Sequence, residues 1–216
     1  MAAAKRLLVG QVDTGLPAGP SESIIMADGA ADPWKVALDL AIEAEHGADS
    51  SALLVTDSPE LAGRVSGFLS TLIAGLPEPR KAFVTAVLSD FGGILLADSM
   101  KAACDIVNEF APEHLQIQTA DPWETLSEIT NAGEILLGEN LPFSVANYAA
   151  GPNAVLPTGG KARTWSPVSV RDFMKYSSVI YATAKGLEAV SSVVTTLADY
   201  EGFPAHSQAL SRRKGN

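Results

Sequence analysis

Short apolar runs alternate with segments of helical period along most of this chain. Ser23 to Ala27 (SIIMA) predicts a buried strand, closed by the turn DGAADP. Asp32 then offers an N-cap, and Pro33 takes the first helical position, where its missing N–H costs nothing. The helix so opened runs to about His46 and stops at Gly47. Ala52 to Thr56 (ALLVT) predicts the next strand. Leu61, Val65, Phe68 and Leu72 share one helical face and predict a helix from Leu61 to Leu72. Gly93 to Ala97 predicts a third strand and Met100 to Phe110 a helix. Leu115 to Gln118 and Glu134 to Leu137 predict two further strands, with a helix opened by Asp121-Pro122 between them.

Strands alternating with helices at this spacing imply right-handed βαβ units, hence an α/β fold with a mostly parallel sheet and flanking helices. The pattern changes after Pro157, where PTGGKARTWSP reads as a loop of glycine and small polar residues. A short helix near Val170 to Tyr176 and a strand near Val179 to Tyr181 are expected beyond it. A long helix then begins at about Lys185, on which Leu187, Val190, Val194 and Leu197 form one stripe, and a last helix follows Pro204. Residues 159–216 are therefore expected to be a small, mainly helical C-terminal extension of the α/β domain.

Composition narrows the class. Hydrophobic content of 47% and charged content of 19% in 216 residues describe a folded globular chain. A net charge of −10 argues against a nucleic-acid surface, and the only basic run is Arg212, Arg213 and Lys214. The apolar stretches are too short for a membrane span, and MAAAKRLLVGQVDTG lacks the apolar core of a secretory signal. The single cysteine, Cys104, allows no internal disulfide and fits a reducing compartment. These features predict a cytoplasmic protein.

All three histidines stand near carboxylates: Glu43 and His46 in AIEAEHG, Glu113 and His114 in FAPEHLQIQ, and Glu201 and His206 in YEGFPAH. Imidazole and carboxylate share proton transfer and divalent-metal ligation near neutral pH. Glu43 and His46 lie three apart on one helix face, where they could ligate a metal. A histidine set against the negative end of the helix dipole explains that segment equally simply, and alone it is the better reading. Pro112 should end the preceding helix and leave Glu113 and His114 on a loop entering a strand, a position suited to catalysis. A loop carboxylate beside a half-buried histidine stands level with that reading. His206, in isolation, reads as an exposed residue at a helix start. The turns AGP at Ala18 to Pro20 and AAGPN at Ala149 to Asn153 do not form a dinucleotide fingerprint.

Taken together, AAAKRLLVGQVDTGLPAGPSE, AEHGADSSALLVT, NEFAPEHLQIQT, NAGEILLGE, NYAAGPNAVLPT and EGFPAH resemble the zinc-dependent histidinol dehydrogenases, in family order and over nearly the whole chain. The resemblance implies a two-step, NAD-linked oxidation of an amino alcohol, L-histidinol in the family, to the amino acid through a bound aldehyde. It implies that Glu113 activates water for the aldehyde step and that His114 takes the alcohol proton. His114 would also contact the substrate, as would Ser21. The zinc ligands would be Glu43, His46, Asn147 and His206, which also surround the substrate. Glu201 would reach the substrate of the other subunit in a homodimer.

Three departures accompany the resemblance. Glu43 and Asn147 replace a glutamine and an aspartate of the family's ligand set, so oxygen donors remain and the set's total charge is unchanged. Ala154 stands where G-x-N-H-V-L-P-T has its histidine, which suggests a paralogue acting on another amino alcohol or a polar diol. The resemblance also covers only the second half of the family protein, from just after its cofactor-contacting G-P-G-N segment. Residues 1–20 are then a remnant of the cofactor region and residues 21–158 an incomplete Rossmann-like domain. On that reading the isolated chain neither binds NAD tightly nor reduces it, the residues that contact NAD are unknown, and a metal-binding fragment without turnover is a further alternative.

Overall fold

The computed structural model describes residues 2–213 except Val9, Asp13 and Pro17, and only the backbone at positions 2, 3 and 6. A short helix α1 (Ala2–Leu8) lies within the expected remnant at residues 1–20. Then follow β1 (Glu22–Ala27), α2 (Pro33–Ala44), β2 (Ser51–Thr56), α3 (Pro59–Gly75), α4 (Arg80–Asp90), β3 (Gly93–Leu96) and α5 (Met100–Phe110). The unit continues through β4 (His114–Gln118), α6 (Pro122–Leu126), β5 (Glu134–Leu137) and α7 (Phe143–Tyr148), and ends in two single 3-10 turns. Lys175 opens a second compact unit holding α8 (Ala184–Tyr200) and α9 (Pro204–Ser211). The sequence pattern changes at Thr158, whereas the compact units part after Met174.

The sheet has the order β3-β2-β1-β4-β5 and every neighbouring pair is parallel. This is the α/β architecture expected from the alternating pattern. Its central strand β1 is apolar on both faces because helices cover both. Ile25 and Ala27 join one core with Val36 and Leu40 of α2 and Leu61 and Val65 of α3. Ile24 and Met26 join the opposite core with Ala103, Cys104 and Val107 of α5. Each large side chain buried here contributes about 1.5–3 kcal/mol. Strand β4 departs from this rule. Leu115 and Ile117 enter the α5 core, while His114, Gln116 and Gln118 alternate with them and are buried on the α2 side. Gln118 donates from Nε2 to Asp39 Oδ2 of α2 at 2.9 Å, and Gln116 donates to the Leu141 carbonyl at 3.1 Å.

Local rules account for the element starts. Asp32, Ser58, Ser99 and Asp121 each accept backbone N–H groups at an N-cap, and Pro33, Pro59 and Pro122 fill first helical positions. Helix α5 ends on Ala111, whose φ of 55° is left-handed, and Pro112 prevents the helix from resuming. A side chain in that conformation costs about 1–2 kcal/mol. The chain is thereby turned straight into Glu113 and β4.

Two expectations are corrected. Val179 to Tyr181 lies outside any helix or strand, with exposures of 93%, 92% and 87%. Its β-branched and aromatic residues meet no strand of the described chain. The helix expected near Val170 to Tyr176 shrinks to a 3-10 turn at Val170–Phe173, closed by a Ser169–Asp172 capping box. In the second unit α8 and α9 pack together; Ser191 and Ala198 are buried, while Val190, Val194 and Leu197 of the expected stripe are exposed. Among the described residues no helix is long and apolar enough to cross a membrane.

Candidate active site

Four segments bring their functional side chains to the amino ends of the sheet strands. Glu22 opens β1, His114 opens β4 directly after Glu113, and Glu134 opens β5. The register aligns Ser23 with His114 and His114 with Glu134. Helix α2 runs back after β1, so its last turn delivers Glu43, and the turn that follows it His46, to the same end of the sheet. Doubly wound sheets more commonly bind ligands beyond the carboxyl ends of their strands.

Glu43 is fully buried, and its Oε2 lies 3.1 Å from His46 Nδ1. The same His46 atom is 3.0 Å from Ser21 Oγ, and Asn147 of α7 directs Nδ2 to Glu43 Oε1 at 3.4 Å. Burial alone would raise the Glu43 pKa, but the adjacent His46 ring, the His114 charge and Asn147 hold it below the usual carboxylate range. His46 is raised in return, first by Glu43. The structure therefore brings Ser21, Glu43, His46 and Asn147 together.

The second group is Glu113 and His114, both buried. Glu113 Oε2 accepts the backbone N–H of Glu22 at 2.9 Å, and its Oε1 lies 3.9 Å from His114 Nε2. Burial pushes the Glu113 carboxyl up to about 7, against the opposing pull of the Glu22 N–H and of His114. Burial lowers His114, but the Glu134 carboxylate at 3.1 Å from Nδ1 and the surrounding carboxylates outweigh it and leave the ring raised. Phe143 meets the His114 ring edge-on at 5.6 Å. Two adjacent groups, one a carboxyl raised to about 7 and the other a raised imidazole, thus stand together in a site shielded from water, as general acid/base chemistry requires.

Glu43 Oε2 is a buried oxygen without an aligned hydrogen-bond donor. The 3.1–3.4 Å separations among Glu43, His46 and Asn147 suit oxygen and nitrogen ligands on one ion of zinc size. These residues fit such a metal once the Asn147 amide is turned to offer its oxygen. Among the described residues no group of three or more His, Cys, Asp or Glu is so arranged; here the third donor is an amide. Glu201 caps the end of α8, and His206 lies on α9 with its ring 5.2 Å from that of Phe203. Both belong to the second unit and are exposed. Ala154 lies on an exposed loop after α7.

Sequence reasoning missed Glu22 and Glu134. Glu22 acts on Glu113 through its backbone, which no side-chain pattern announces. Glu134 opens the predicted strand Glu134 to Leu137, but only the observed parallel register, with β4 starting at His114, sets it beside that ring.

The family model for histidinol dehydrogenase matches residues 1–214. The chain is 58% identical to the histidinol dehydrogenase of Synechocystis sp. over 213 residues, which is 99% of this chain and 49% of that protein. It is 50% identical to a histidinol dehydrogenase homolog of Cereibacter sphaeroides, covering 96% of this chain and 47% of the relative. The crystal structure of histidinol dehydrogenase from Elizabethkingia anophelis superposes with a TM-score of 0.90 at 34% identity, over 98% of this chain and 48% of that one. The chain thus spans about half the length of the curated relatives it matches. With the parallel sheet and the Glu113–His114 pair in place, these matches establish that the chain belongs to the histidinol dehydrogenase family.

Proposed function

We propose that this chain supplies the proton-handling part of an oxidoreductase that takes an amino alcohol, L-histidinol by the resemblance, to the amino acid in two successive oxidations. The buried Glu113–His114 pair carries the reading, because a carboxyl raised to about 7 and an imidazole stand 3.9 Å apart and can take separate roles. In the first oxidation His114 takes the hydroxyl proton through Nε2 as the carbinol carbon gives up hydride. In the second, Glu113 removes a proton from the water that attacks the aldehyde carbon. Its Oε2 is held by the Glu22 N–H, which leaves Oε1 for that proton. Bound NAD would accept the two hydrides, and zinc would anchor and polarise the substrate.

Glu43, His46 and Asn147 would hold the zinc together with His206. Ser21 and His114 would contact the substrate, and Glu201 would do so across a homodimer interface. A cytoplasmic location accompanies the reading. A paralogue with another substrate and an inert metal-binding fragment are not favoured by the comparisons.

The test follows NAD reduction with L-histidinol by this chain combined with the amino-terminal half of the Synechocystis relative. Turnover by the pair is expected, with a loss of about 100-fold or more in His114→Asn. Undiminished turnover in both His114→Asn and Glu113→Gln would overturn the reading.

A further inference from the structure

Parallel strands β4 and β5 begin on a matched pair, His114 and Glu134, so both side chains leave the same face of the sheet. Glu134 Oε2 lies 3.1 Å from His114 Nδ1, and the two side chains are 12% and 4% exposed. The opposite ring nitrogen, Nε2, faces Glu113 Oε1 at 3.9 Å. Turning the ring by half a revolution would set carbon atoms against both carboxylates. Phe143, edge-on at 5.6 Å, occupies another flank of the ring.

The backbone fixes Glu134 as firmly as its partner. Gly133 and Glu134 donate their N–H groups to the carbonyls of Pro112 and Glu113, both at 2.9 Å. A Cβ on Gly133 would stand 2.6 Å from the Glu113 carbonyl oxygen, so the glycine permits the close approach. Upstream, Asn108 accepts the N–H groups of Thr130 and Asn131 and donates to the Glu128 carbonyl at 2.8 Å, which orders the loop entering β5.

We propose that Glu134 is the positioning residue of His114: its carboxylate accepts the Nδ1 proton, fixes that tautomer, and leaves Nε2 unprotonated on the Glu113 side. An ionised carboxylate only accepts hydrogen bonds, so a proton shared with it at 3.1 Å belongs to the ring nitrogen. A neutral imidazole that donates from Nδ1 must accept at Nε2. Only that form can take a substrate proton at Nε2. The inference rests on the reading of His114 as the proton acceptor and names the group that prepares it.

The tautomer can be read without turnover. With three histidines in the chain, a ring-nitrogen-labelled sample gives three imidazole spin systems. Spectra of His46→Gln and His206→Gln then identify His114 by elimination. On the alkaline side of its titration, long-range proton–nitrogen correlations in the wild-type chain should show His114 with the proton on Nδ1, in an excess of about tenfold. Glu134→Gln, whose amide oxygen still accepts, should keep that pattern. Glu134→Ala should move the proton toward Nε2, the tautomer that free imidazole side chains prefer. A wild-type ring protonated on Nε2 overturns the proposal without any variant, so misfolding of Glu134→Ala cannot rescue it. An unchanged tautomer in folded Glu134→Ala overturns it as well. Failure of the oxidoreductase reading would show instead as undiminished turnover in both His114→Asn and Glu113→Gln, whatever the spectra report.

Discussion

Glu22 donates its backbone N–H to Glu113 Oε2 at 2.9 Å, tying the first residue of β1 to the residue that enters β4. The Glu22 carboxylate in turn accepts the Gly159 N–H at 2.8 Å, while Thr158 Oγ1 accepts the Gly19 N–H at 2.7 Å. A loop far along the sequence is thereby pinned beside the Glu113 carboxyl, which burial raises to about 7. One hydrogen bond fixes which oxygen of Glu113 is engaged and which stays available.

Stability should report the raised Glu113 carboxyl directly. Its folded pKa of about 7 lies above the ordinary value of 4.5, because burial disfavours the anion. A group raised on folding supports the fold below its unfolded pKa, and that support is lost as pH rises through the folded value. Glu113→Gln keeps an oxygen for the Glu22 N–H and cannot ionise. It should therefore raise unfolding stability by about 2 kcal/mol above pH 8 and by roughly nothing below pH 4. Urea titrations at the two pH values measure this, and an equal effect at both would reject the assignment.

Gly133 should be irreplaceable for steric reasons alone. A methyl there would meet the Glu113 carbonyl oxygen at 2.6 Å and Pro157 Cδ at 3.1 Å. Gly133→Ala is expected to cost about 2–3 kcal/mol. Gly63, exposed on α3 with nothing within 4 Å of where its methyl would stand, is the control. Gly63→Ala should instead stabilise by about 0.5–1 kcal/mol through helix propensity. Denaturant midpoints of the two variants should move in opposite directions.

How much of this was legible in the sequence depends on where the determining force lies. The bounds of α5 follow from Ser99 at one end and Pro112 at the other, and sequence and structure give the same Met100–Phe110. The strands show themselves as apolar runs because helices cover both sheet faces. Helix α4 escaped notice because it is weakly amphipathic and buries only Val84 and Val87. Val179 to Tyr181 has strand chemistry but no pairing strand in the described chain, so composition misled. In the site, Glu113 and His114 were visible as adjacent residues at a strand entrance. Glu134 lies twenty positions on, and only the parallel register sets it against His114.

The Glu43 cluster yields a prediction about metal. Glu43, His46 and Asn147 offer donors 3.1–3.4 Å apart around a buried oxygen that lacks an aligned donor. The chain should take up one divalent ion, zinc by ligand chemistry, in equilibrium dialysis followed by elemental analysis. His46→Ala should abolish stoichiometric binding, since it removes the most accessible nitrogen donor of the cluster. Zinc retained at full stoichiometry in His46→Ala would place the ion elsewhere.

The two oxidations should respond differently to the two members of the buried pair. His114→Gln removes the acceptor of the alcohol proton and should slow both the disappearance of alcohol and the formation of acid, by about 100-fold or more. Glu113→Gln leaves the His114 ring and its Glu134 partner in place, but removes the carboxylate that would draw a proton from water. Alcohol should still be consumed, while acid formation from added aldehyde falls by a similar factor. In the unsubstituted protein the aldehyde step should accelerate as pH rises through about 7, where Glu113 ionises, and level off above it. The assay uses this chain with the complementary half of the Synechocystis relative, and scores alcohol, aldehyde and acid separately by chromatography. Acid formed at the normal rate by Glu113→Gln would remove Glu113 from the water-activating role. Equal loss of both steps in that variant would instead make the pair a single proton-transfer unit, with no division of labour between its members.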